Sequence, residues 1–234
     1  MRPLVTLLLA LAFATAAQAV PIDVQGVRLE IPIPKGFGDP SRAMPVARTL
    51  AETLTPAGNR LQLVFLSDAD LKLAKAGGEA QWDRYLMVQT TMKIESVNVS
   101  DSEFEKFRNV FAQRQAVLLE ENKEAIQRQL VGASEKYSQA AGGPAFSLTL
   151  GQTIPLGVFA NTRNGFAYGS LVKYSVQISG QTVEQPMVAA MAAANIRHKM
   201  IFLNAYSMYR TQKDIDDVKR TVESWLAAVE AANR

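Results

Sequence analysis

The chain has 234 residues, 48% hydrophobic and 20% charged, with a formal net charge of +3, one histidine and no cysteine. This is an ordinary globular composition, which excludes disorder and disulfide support. The excess of positive charge is too small and too dispersed for a nucleic-acid groove. No four basic residues adjoin, so a basic membrane-surface patch is also excluded.

Arg2, an apolar run over 4–17 and the small-residue pattern Ala17-Gln18-Ala19 read as a signal peptide cleaved after Ala19. The run is shorter than the roughly 20 residues that span a bilayer. A mature domain at 20–234 without a transmembrane anchor, periplasmic or secreted, is therefore expected. No cysteine follows the leader to carry a lipid.

Residues 22–33 alternate loosely and end in Pro32, Pro34 and Gly36, which predicts one short strand and a loop. In 61–66, Leu61, Leu63 and Phe65 should face one way and Val64 and Leu66 the other, as in a strand covered on both sides. Ser67-Asp68 caps a short helix ending at Gly77-Gly78, and 84–92 is β-favouring.

The stretch 100–141 lacks proline and opens with a Ser100/Glu103 capping box. It carries one apolar stripe at Phe104, Phe107, Phe111 and Leu118, and a second at Ile126, Leu130, Ala133 and Tyr137. A single helix of that length would measure about 60 Å, longer than the domain is wide. It must break or protrude, and 119–122 is the expected break.

Gly142-Gly143-Pro144 ends the helical region. Strands are expected at 153–160 and 166–178 around the hairpin cue Asn164-Gly165, with one face of the second strand in the core and the other at solvent or under a thin cover. After a Ser179-Gly180 turn come a small-residue strand at 187–194 and a central strand at 199–206. Thr211 and Asp214 then cap a helix whose stripe is Ile215, Val218, Val222, Trp225 and Val229.

The Asn59-Arg60-Leu61 strand opening, the segment KMIFLNAYSMY (199–209) and the helix end at 225–233 resemble a group of exported bacterial proteins of unknown function. The resemblance implies a PsbP-like α/β/α sandwich, a mostly antiparallel sheet packed by helices, and a binding or accessory role. It brings no functional residue with it.

Chemistry has few candidates. His198, between Arg197 and Lys199, must serve any histidine-based mechanism, and it reads as an exposed turn residue. Asp68-Ala-Asp70 and Asp214-Ile-Asp216-Asp217 read as acids of helix first turns rather than metal ligands. Ser170 and Lys173 match S-x-x-K, but a strand sends residues three apart to opposite faces. No phosphate-binding glycine loop occurs, since Gly36-Phe-Gly38 lacks a third glycine. No catalytic, cofactor or metal residue is therefore nominated. Tyr206, Tyr209 and Arg210 form a candidate ligand or partner surface, against the alternative that the tyrosines seal the core. The resulting expectation is a non-enzymatic binding or accessory protein with a protein or small-molecule partner in the envelope. The alternatives are a cofactor-free carboxylate hydrolase, and an assembly protein that oligomerises through the 100–141 helix.

Overall fold

The computed structural model describes residues 18–121, 146–178 and 181–234, together with 124, 127, 128, 130–132, 134 and 135. The expected leader, apart from Gln18 and Ala19, lies outside the described residues. So do residue 122 of the expected break at 119–122, whose first three positions are still helical, most of the second apolar stripe and the Ser179-Gly180 turn.

The first apolar segment is a hairpin, not the single strand expected. Strands β1 (Ala19–Val24) and β2 (Val27–Pro32) pair antiparallel with Val24 opposite Val27. Gln25 and Gly26 between them have φ of 53° and 81°, the doubly left-handed backbone of a type I′ turn. The Gly at the second turn position was the legible cue; the loose alternation on either side of it obscured it.

The main sheet contains β3 (Phe37–Gly38), β4 (Asn59–Ser67), β5 (Arg84–Thr91), β6 (Phe146–Asn161), β7 (Gly165–Ile178), β8 (Gln181–Ile196) and β9 (Lys199–Met208). Their order is β3-β4-β5-β9-β8-β7-β6, with every neighbouring pair antiparallel. Strand β9 lies centrally, as its two-sided apolar pattern predicts. Within β4 a register shift between Leu61 and Leu63 breaks the expected alternation. Leu63 and Phe65 turn to one core, whereas Leu61 joins Val64 and Leu66 in the other.

One face is covered by the C-terminal helix (Gln212–Ala232) and the β1–β2 hairpin. Ile215, Val218, Val222, Trp225, Leu226 and Val229 are all buried there. The alanines of β8 (Ala190, Ala192 and Ala194) face this helix, and their small side chains allow it to approach closely. At Gly165 the approach is closer still, since an added Cβ would sit 2.6 Å from Leu226 Cδ1. The helix start is the predicted one, with the Asp214 carboxylate accepting the Thr211 N–H at 2.7 Å.

The opposite face carries α1 (Ala47–Leu54) and α2 (Asp68–Lys75) over β4 and β5, and α3 (Asp101–Glu121) over the start of β7. Helix α1 has no side-chain N-cap bond, so the sequence carried no start signal for it. The second face of β7, expected at solvent or under a thin cover, is fully covered at the start of the strand. Ala167 is fully buried under the C-terminal helix, and Phe166 is buried under α3. The architecture is thus a mostly antiparallel sheet with helices on both faces. Among the described residues no helix is long and apolar enough to cross a membrane.

Candidate functional site

Helix α3 is fixed firmly at its start. The Ser100 N–H donates to Glu103 Oε2 at 2.8 Å, and the Glu103 N–H to Ser100 Oγ at 3.3 Å. These Ser100 bonds hold the Glu103 carboxyl below the usual carboxylate range. Phe104 is 1% exposed, with its ring 6.1 Å from that of Phe166. Phe111 lies one seam position on, 5.3 Å from Phe166 and 4.3 Å from Tyr168. Arg108 donates to the Thr162 carbonyl at 2.8 Å, and Arg163 pairs with Asp101 at 3.0 Å.

The expected stripe holds at Phe104 and Phe111, and Phe107 lies at its rim, with its ring 5.7 Å from that of Phe166; the Leu118 side chain lies outside the described residues. Phe107 is 40% exposed, Val110 52% and Val117 49%. Together with Arg114 and Glu121 these residues recur at intervals of three and four, so they form a second stripe about 90° round the helix from the buried seam. Arg114 Nη2 lies 3.1 Å from Glu121 Oε1, and both side chains are 52% exposed. The apolar surface of helix α3 therefore extends beyond the part that the sheet covers, from Phe107 at the rim to Val110 and Val117.

Tyr206, Tyr209 and Arg210 do not form one surface. Tyr206 turns to the face of α1 and α2 and stacks on Tyr85, with ring centroids 4.7 Å apart. Burial raises both phenols well above their ordinary range, and their mutual repulsion adds to the effect at Tyr85. Tyr209 packs against the core on the opposite face, and Arg210 is held by Asp83 at 2.7 Å. Between Met87 and Met191, in register with both, Asn204 has a buried Nδ2 without a hydrogen-bond partner.

Ser170 is buried and Lys173 exposed on β7, and the serine-lysine dyad is absent, as a strand requires. Asp70 is a structural acid that accepts from Ser67 Oγ at 2.8 Å and from the Gln81 N–H at 2.7 Å. His198 is exposed, with Nδ1 3.2 Å from the Val99 carbonyl oxygen. It shares an open, polar cavity of about 250 Å³ with Asp101, Arg163, Asn164, Asn195 and Arg197. A second cavity of about 400 Å³ holds two acids, Asp23 and Glu95. Burial opposes the charge of Glu95, but hydrogen bonds from Thr90 at 2.6 Å and Arg60 at 2.9 Å outweigh it and hold the carboxyl below its usual range. A carboxyl so held is ionised at neutral pH and has no proton to donate to a leaving group.

No family model matches the chain, and no curated protein matches it. Two solved structures share weak likeness over 92% of this chain and 90% of theirs. One is described as a mutant of the protein Mog1, at 13% identity and a TM-score of 0.33. The other is described as the Saccharomyces cerevisiae Ran-binding protein Mog1p, at 12% identity and a TM-score of 0.30. At such TM-scores the likeness carries no argument about this chain.

Sequence reading missed the part played by the Arg197-His198-Lys199 turn. Arg197 and His198 have φ of 51° and 65°, left-handed values that cost non-glycine residues about 1–2 kcal/mol each. The side chains bind across the fold. Arg197 donates to the Arg28 carbonyl of the hairpin at 3.0 Å, while Lys199, 3% exposed, donates to the carbonyls of Glu95 and Val97 at 2.9 and 3.3 Å. A charged turn in the sequence is thus a clasp that holds the hairpin and the segment leading into α3.

Proposed function

We propose that this chain is an exported binding or accessory protein of the bacterial cell envelope, without a reaction of its own, and that it engages a protein partner through the outer flank of α3. The single observation that carries the surface is the stripe Phe107, Val110 and Val117, each 40–52% exposed on a helix whose other apolar side is already packed. Phe107 also touches Phe166 at the rim of the packed seam, and exposed apolar residues along one helix flank are what helix-in-groove recognition uses. The sheet edge is a poorer choice. Edge strand β6 carries three register shifts and Pro155, features that discourage strand addition. Export rests on the leader and its small-residue site before Val20. The resemblance to exported bacterial proteins supports the accessory role.

Two measurements test the reading. Intact mass of the protein from its native compartment should begin at Val20, and retention of the first 19 residues would overturn export. A Val117→Asp variant should fold with an unchanged melting temperature yet fail to complement a deletion strain. Full complementation at normal abundance would refute α3 as the engagement surface.

A further inference from the structure

The open cavity at the β1–β2 turn presents both signs of charge on side chains that the fold holds in place. It measures about 400 Å³, at the lower end of the roughly 300–1,000 Å³ of small-molecule sites. Asp23, Gln25 and Gly26 line it from the hairpin, Arg60 and Gln62 from β4, and Glu95 from the segment after β5. We propose that it binds a free α-amino acid, with the carboxylate on Arg60, the ammonium on Asp23 and a preference for basic side chains. None of these residues belongs to α3, so the site stands apart from the engagement surface.

Arg60 is arranged to receive an anion. Only one edge of its guanidinium is engaged, with Nε 2.9 and 3.3 Å from the two carboxylate oxygens of Glu95. Nη1 and Nη2 have no partner among the described residues, and the side chain is 54% exposed. A guanidinium clamped along one edge leaves the other as a planar fork, the geometry that fits a carboxylate. The clamp itself is buried. The Glu95 side chain is 5% exposed and accepts hydrogen bonds from Thr90 Oγ1 at 2.6 Å and from Gln25. Burying a carboxylate is costly, and well-packed apolar residues in place of such a pair are often as stable or more so. What the pair supplies is a fixed direction for the guanidinium, as a shell supporting a binding group should.

The opposite charge comes from the turn. Asp23 Oδ1 accepts the Gly26 N–H at 2.9 Å, which holds the carboxylate in place, while Oδ2 has no partner among the described residues. Gln62 is oriented by its Nε2, which donates to Thr90 Oγ1 at 2.9 Å, and its Oε1 is a neutral acceptor for an ammonium N–H. A simple anion or a simple cation would meet only half of these groups, whereas a zwitterion meets both. Charge then ranks the amino acids. Arg60 cancels Glu95, so Asp23 leaves the cavity with one negative charge. A basic amino acid neutralises that charge and an acidic one doubles it. No aliphatic or aromatic side chain lines the cavity, so an apolar ligand side chain finds no surface to bury against.

Isothermal titration calorimetry of the mature chain tests the site with L-lysine, glycine, L-glutamate, acetate and n-butylamine. L-lysine should bind with a Kd below about 1 mM and glycine about threefold or more weaker, with the other three at least about tenfold weaker. Acetate probes the fork alone and n-butylamine probes Asp23 alone; either one matching L-lysine overturns zwitterion recognition. Arg60→Lys keeps the charge that balances Glu95 but loses the fork, and Asp23→Asn keeps an oxygen for the Gly26 N–H but loses the charge. Each should weaken L-lysine at least about tenfold. Glu95→Gln leaves the Arg60 charge untouched, so a loss of affinity there, absent when it is added to Arg60→Lys, reports positioning of the fork. Asp23 is exposed, so Asp23→Asn decides the question even if Arg60→Lys alters the fold. No binding of L-lysine up to about 10 mM, or an affinity unchanged in Asp23→Asn, overturns the inference.

Discussion

Trp225→Ala tests how the C-terminal helix is held. Trp225 is 1% exposed, meets Phe65 edge-on at 6.1 Å, and donates from Nε1 to the Pro32 carbonyl at 2.8 Å. The indole thus joins three elements: the helix, strand β4 and the end of the hairpin. Truncating a buried tryptophan costs about 3–5 kcal/mol in lost transfer and cavity terms. The Pro32 carbonyl, left without its donor, adds about 1–3 kcal/mol where water cannot reach it. A loss of at least about 4 kcal/mol is expected, a large share of the roughly 5–15 kcal/mol that domains possess. Trp225→Phe keeps most of the apolar contact and removes the donor, so it should lose only about 1–3 kcal/mol. Urea denaturation followed by circular dichroism measures both. The chain has two tryptophans, so Trp82→Phe gives a background in which fluorescence reports Trp225 alone. A loss below about 2 kcal/mol for Trp225→Ala, with Trp225→Phe equal to the parent, would refute the proposed bridging role.

Gly165→Ala should cost about 1–3 kcal/mol by overpacking, because its Cβ would press on Leu226 Cδ1; the cost should shrink in a Leu226→Ala background, as a double-mutant cycle by urea melts can measure. Glu95 titrates lower in the folded chain than in the unfolded one, so its contribution is present above the unfolded carboxylate range and is lost as pH falls through the folded value. Glu95→Gln should therefore be less stable than wild type near neutrality and converge with it in acid; parallel stability curves from pH 7 to pH 3 would contradict the assignment. His198→Gly relieves a left-handed backbone at the loss of one exposed contact, and a gain of about 0.5–1 kcal/mol is expected, whereas a loss above 1 kcal/mol in the same melts would mean that the imidazole is an essential anchor.

Local periodicity made much of the fold legible. The C-terminal helix announced itself through Ile215, Val218, Val222, Trp225 and Val229 with a Thr211/Asp214 start, and Asn164-Gly165 marked the β6–β7 hairpin, because 3.6-residue spacing, caps and turn residues are properties of neighbouring positions. The small side chains of β8 were visible too, but their purpose, close approach of a helix, was not. What the sequence could not determine is which of several apolar faces finds a partner. A register shift in β4 moved Leu61 to the other core, and only pairing with β5 produces that shift. Lys199 reads as one charge in a basic turn, yet it is buried because carbonyls a hundred residues away accept its protons. Phe107 belongs by spacing with Phe104 and Phe111. At about 100° per residue it sits round the helix from them, so its ring touches Phe166 at 5.7 Å yet stays 40% exposed. Tyr206 and Tyr209 stand three residues apart, and the sheet places a helix core on each side of them. Spacing fixes a residue's direction relative to its neighbours; what lies in that direction depends on contacts distant in the chain, and those are set by tertiary packing.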